Sequence, residues 1–182
     1  MKGKGRALLG LSWLVAAVAL VTTSVAVAAT IVGTPGNDAL RGTPDADEIR
    51  AFAGDDFVNA RGGDDIVRAG SGDDRVQGDY GADRVFSGVG NDTIRGGHGP
   101  DIAWAGSGSD FVEGGPGPDA LHGGTGSDSV DGSVGDDVLF GGPGADIVRG
   151  GTGNDRLHAL ASDSDPDVLN CGPGNDTARV LG

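Results

Sequence analysis

The chain of 182 residues has a single cysteine, Cys171, so no intramolecular disulfide can staple its fold. Aromatic residues make up only 4%, which leaves little bulky apolar material for a conventional core. No lysine follows Lys4, and 27 acidic residues stand against 13 basic ones, a formal net charge of −14. A balance this acidic argues against nucleic acid as a partner and in favour of cations. His98, His122 and His158 lie far apart in sequence and Cys171 stands alone, so no soft-metal cluster is evident. No nucleophile and base pair rises above the background either, and the reading is therefore not an enzyme.

Glycine is abundant instead: 37 residues, about three times the usual share of roughly 7%. These glycines do not recur at every third place, which excludes a collagen helix. The first six residues carry Lys2, Lys4 and Arg6, and an uncharged apolar run extends from Ala7 to about Ala29. It closes on the small residues Ala26-Val27-Ala28-Ala29. That order of basic, apolar and small segments predicts a secretory signal peptide over residues 1–29, cut after Ala28 or Ala29, with a repeat domain over 30–182. The run is also long enough to cross a bilayer of roughly 30 Å, so membrane attachment follows only if it stays uncleaved. Either outcome places the remainder outside the cytosol, secreted and extracellular.

From Gly33 the chain divides into nine-residue units: GTPGNDALR, GTPDADEIR, AFAGDDFVN and so on, fourteen without a gap to His158. A unit with three extra residues, ALASDSDPDVLN, and a final CGPGNDTAR bring the total to sixteen. The sixth position is always aspartate: Asp38, Asp47, Asp56, Asp65, Asp74, Asp83, Asp92, Asp101, Asp110, Asp119, Asp128, Asp137, Asp146, Asp155, Asp167 and Asp176. The fourth is glycine in fourteen units, and the eighth is Leu, Ile or Val in fourteen, with Ala103 and Ala178 as the small substitutes.

Each position has a physical task. Glycines at the second and fourth places permit the positive φ of a tight turn. The last three residues form a short strand with one inward apolar side chain. Each unit is then half a coil, and sixteen units build about eight coils with the turns in two files along the edges.

Gly141-Gly142-Pro143-Gly144-Ala145-Asp146-Ile147-Val148-Arg149 resembles the repeats-in-toxin (haemolysin-type) nonapeptide GGxGxDxUx, where U is a large apolar residue. Gly114–His122, Gly123–Asp131 and Gly150–His158 resemble it equally. The resemblance implies an all-β fold, a parallel β-roll or β-solenoid, with multiple Ca²⁺ ions held between turns. It also implies the ligands: the sixteen sixth-position carboxylates and backbone carbonyls. An all-oxygen set of this kind suits Ca²⁺, which takes six to eight oxygens in flexible geometry. Aspartates stacked about 5 Å apart along one edge repel by roughly 3 kcal/mol per pair at an effective dielectric near 20, which a cation reverses. Folding is therefore expected to depend on calcium. Thr34, Thr43, Phe52, Arg61 and Asp79 replace the second-position glycine in early units, so weaker sites or a cap are expected there and the strongest between Ser87 and His158.

Side chains eighteen residues apart stack on one face. One ninth-position file reads Arg50, Arg68, Phe86, Trp104, His122, Phe140, His158, beside Ile66, Ile102 and Val138. The other reads Arg41, Asn59, Gln77, Arg95, Glu113, Asp131, Arg149. The aromatic file either stabilises its sheet or offers Phe86, Trp104 and Phe140 to a polysaccharide or protein partner.

Overall fold

A computed structural model describes residues 28–160 and 165–181; the expected signal segment lies almost wholly outside them. The described residues form seventeen strands and no helix, so none is long and apolar enough to cross a membrane. Numbered in chain order, the odd strands, from β1 (Thr30–Val32) and β3 (Glu48–Ala53) to β17 (Thr177–Leu181), make a nine-stranded sheet, and the even strands, from β2 (Ala39–Arg41) to β16 (Val168–Asn170), an eight-stranded one, each in plain sequence order. All pairings are parallel, and partners in the regular stretch lie eighteen residues apart, as in Phe86↔Trp104 and His122↔Phe140. The chain is thus the expected parallel β-roll of about eight coils.

The larger core side chains form one file per sheet. Ile49, Val58, Val67, Val76, Val85, Ile94, Val112, Leu121, Val130, Leu139, Val148 and Leu157, all eighth-position residues, are fully buried. Small side chains suffice because the two sheets are joined by turns of only a few residues, which leaves no room for bulk.

Two features differ from the sequence reading. Most strands run six residues, such as Glu48–Ala53 and Ile102–Ser107, and continue into the next unit. The first position therefore also points inward, and Ala51, Ala60, Ala69, Ser87 and Ala105 are buried there. The small residues at that place are a second core column, a constraint that the fixed apolar eighth position had hidden. An extra strand, Thr30–Val32, also precedes the first full unit and pairs with Glu48–Arg50. Ala29 occupies its aspartate place, so the repeat signature does not reveal it.

The second-position substitutions fall into two groups. Thr34 and Thr43 leave the positive-φ conformation altogether, whereas Phe52 (φ 85°), Arg61 (84°), Asp79 (75°) and Ser133 (75°) retain it. A side chain there costs on the order of 1–2 kcal/mol, because Cβ crowds the following carbonyl. Stacking against neighbouring coils imposes it.

Candidate metal centres

The sixteen aspartates fall into two files, one along each edge. Asp38, Asp56, Asp74, Asp92, Asp110, Asp128, Asp146 and Asp167 precede the even strands. Asp47, Asp65, Asp83, Asp101, Asp119, Asp137, Asp155 and Asp176 precede the odd ones. From Asp47 to Asp155 these side chains are at most 4% exposed, while Asp38 and the last two are less enclosed.

From Asp47 onward each carboxylate is held by the coil before it. The backbone N–H of Asp101 donates to Oδ1 of Asp119 at 2.8 Å, that of Asp119 to Asp137 at 2.8 Å, and that of Asp137 to Asp155 at 3.0 Å. The other edge repeats the arrangement from Asp38–Asp56 to Asp146–Asp167. The carbonyl of the same aspartate accepts the next coil's seventh-position N–H, as Ala120 to Asp101 at 2.9 Å. Both backbone and side chain of the aspartate are thereby fixed by the stack.

The second oxygen is different. Oδ2 of Asp56, Asp65, Asp74, Asp83, Asp101, Asp110, Asp119, Asp128, Asp137 and Asp155 is buried with no hydrogen-bond partner. A buried carboxylate oxygen left so is costly. Where the first position is glycine, this oxygen crowds its bare α-carbon together with a carbonyl of the following coil. A methyl group on Gly123 would meet Asp128 Oδ2 at 2.6 Å and the Gly141 carbonyl at 2.7 Å. Gly78, Gly96, Gly114, Gly132 and Gly150 gather Asp83, Asp101, Asp119, Asp137 and Asp155 in the same way. Among the described residues no three His, Cys, Asp or Glu side chains converge, so any cation held here must draw on backbone carbonyls as well. An orphaned carboxylate oxygen beside carbonyl oxygens is a donor set that fits a hard cation such as Ca²⁺.

The electrostatics agree. Burial, partly offset by the backbone hydrogen bond, pushes Asp119 up to about 8, Asp65 and Asp101 to about 7, and Asp74, Asp83, Asp110, Asp128 and Asp137 to about 6. Neighbouring aspartates add to the rise, Asp101 and Asp137 in the case of Asp119. At about 1.4 kcal/mol per pH unit, the charged form of the most displaced groups costs several kcal/mol more here than on an exposed aspartate.

The first two units are built otherwise. Thr34 donates its N–H and its hydroxyl to Asp38 Oδ2, at 2.5 and 3.1 Å. Thr43 donates its N–H to Asp47 Oδ2 at 2.6 Å and its hydroxyl to Oδ1 at 3.1 Å, and Ala29 N–H reaches the same Oδ1 at 2.7 Å. A β-branched residue avoids positive φ, and its N–H then turns toward the carboxylate.

A second ladder was not read from the sequence. Fifth-position Asx side chains accept the N–H one coil later: Asn37 from Asp55, Asp55 from Asp73, Asp73 from Asn91, and Asn91 from Ser109, at 2.7–3.0 Å. Asp64, Asp136 and Asn154 do the same. The signal was the recurrence of Asn or Asp at half of the fifth positions, masked by the invariant aspartate beside them.

The RTX calcium-binding nonapeptide repeat model matches at residues 32–67, 60–94, 88–121, 122–157 and 140–178, well over half of the chain. A search of curated proteins finds no significant match. Period, parallel coils and file of buried aspartates thus converge, and the chain belongs to the RTX calcium-binding nonapeptide repeat family.

Proposed function

We propose that this is a secreted structural or interaction module that binds several Ca²⁺ ions along both edges and, at neutral pH and above, folds only when they are present. The observation that carries the reading is the run of buried aspartates whose Oδ2 has no partner. Without a cation such a core holds unpaired carboxylates; with one, the same oxygens become ligands and binding free energy becomes folding free energy. Between Asp56 and Asp155, the aspartates whose Oδ2 is left so are the proposed principal ligands. Asp38 and Asp47, already supplied with donors by Thr34 and Thr43, form a cap that needs no metal. Asp167 and Asp176, less buried, close the opposite end as weaker sites. Circular dichroism with calcium and with chelator tests the proposal: β-structure is expected in calcium and a largely disordered spectrum in chelator. Identical folded spectra would refute it.

The aromatic file supports sheet stabilisation more than ligand capture. Phe86–Trp104, Trp104–His122, His122–Phe140 and Phe140–His158 stack at 4.7, 5.6, 4.4 and 4.6 Å with planes within 11°. Arg68 covers the outer face of Phe86 at 5.6 Å. Ring faces, the surfaces on which a sugar packs, are therefore occupied by one another. A partner for this strip would meet ring edges and the neighbouring Ile66, Ile102 and Val138.

A further inference from the structure

Two of the four non-glycine residues with positive φ among the described residues, Arg61 and Asp79, line one cleft on the outer side of the eight-stranded sheet. Arg41, Pro44, Asn59 and Tyr80 complete a volume of about 330 Å³. Regular pairing stops at Asn59↔Gln77 and leaves an isolated bridge, Gly62↔Tyr80, so the cleft opens where the ladder is interrupted. Glycine at both positions would relieve the strain at no cost to the repeat. Strain retained at two adjacent places suggests that their side chains have a task.

The cleft's polar groups define that task. Among the described residues neither Arg41 nor Arg61 has a salt-bridge partner, although the protein is strongly acidic. Asn59 donates its amide to Gln77 Oε1 at 3.1 Å and to Asp79 Oδ2 at 2.9 Å, which turns the Asn59 carbonyl oxygen and Asp79 Oδ1 into acceptors for outside donors. One face of Tyr80 is stacked on His98 at 4.9 Å, and the side chain is otherwise exposed.

From this we infer a binding site for a carboxylated sugar unit, of the uronic acid class. Planar guanidinium groups match a carboxylate in two-point geometry, and the acceptors match sugar hydroxyls. Asp79 and the net charge of −14 disfavour the concentrated double charge of a phosphate, whereas carboxylates carried one per ring are tolerated. The volume lies at the small end of ligand sites, suited to one or two rings.

Calorimetric titration of the calcium-loaded protein with digalacturonate, at matched free calcium, tests the inference; galactobiose and inorganic phosphate are the comparison probes. Digalacturonate is expected to bind at one site, with both comparison probes weaker by about tenfold or more. Arg61→Gly restores the repeat's own glycine, so its melting temperature is expected to hold or rise by about 2–4 °C while affinity falls by roughly tenfold or more. Arg41→Gln should weaken binding similarly without touching the turn. Absence of digalacturonate binding, equal binding of galactobiose or phosphate, or unchanged affinity in both variants would overturn it.

Discussion

The backbone N–H of Asp101 donates to Oδ1 of Asp119, one coil later, at 2.8 Å, while Oδ2 of Asp119 has no partner. One oxygen thus belongs to the stack and the other is left for a ligand. Asp119→Asn separates these roles, since an amide oxygen still accepts the bond but carries no charge. In chelator the variant should be more stable than the parent by about 1–3 kcal/mol, and in saturating calcium less stable by a similar amount. Osmolyte-induced folding midpoints in chelator, where the parent is disordered, and urea midpoints in calcium read the two signs. Asp38→Asn should leave the calcium-dependent part of stability nearly unchanged, because Thr34 already serves that carboxylate.

Metal-free stability should increase on acidification. The folded-state values of about 6 to 8 for Asp65, Asp74, Asp83, Asp101, Asp110, Asp119, Asp128 and Asp137 lie above the unfolded value near 4, so the folded chain binds protons more tightly. Their contribution is complete below about pH 4 and is lost as pH rises through 6 to 8. His122, lowered by burial, acts in the opposite sense, but one histidine does not outweigh eight aspartates. Circular dichroism in chelator is expected to show β-structure near pH 4 that is lost by pH 8. Calcium binding near pH 6.5 should release protons, which a weakly buffered titration detects.

Glycine substitutions should divide sharply by position. Gly126 has φ +126°, and a methyl group there would overlap the carbonyl of Gly108. Gly126→Ala is expected to destabilise the calcium-loaded roll by on the order of 3 kcal/mol or more. Gly36→Ala, whose nearest neighbour would be Thr34 Oγ1 at 3.9 Å, should stay within about 0.5 kcal/mol. Thermal melts in calcium separate the two.

The aromatic file should act on stability. Trp104 is 36% exposed and sits between Phe86 and His122. Trp104→Ser and Phe140→Ser should each cost about 1–3 kcal/mol in calcium-loaded protein. Unchanged melting in both variants, with loss of a bound partner in a pull-down from calcium-containing medium, would instead support the docking reading of this strip.

Much of this molecule is written in its period. Nine-residue spacing of Gly, Asp and an aliphatic residue determines the all-β class, the half-coil unit and the eighteen-residue stacking, because each coil repeats the local conformation of the last. The sixteen aspartates and their division between two edges follow from that arithmetic. Only the tertiary structure decided how unlike those aspartates are. Whether Oδ2 is satisfied depends on which way the second-position N–H turns, and Thr43 turns it toward Asp47 whereas Phe52, Arg61 and Asp79 keep glycine's conformation under strain. The inward first position, the strand Thr30–Val32 and the cleft at Arg61 and Asp79 likewise come from coil-on-coil contact. A repeat specifies what each unit resembles; the neighbouring coil specifies which unit is strained, which is capped and which carboxylate is left without a partner.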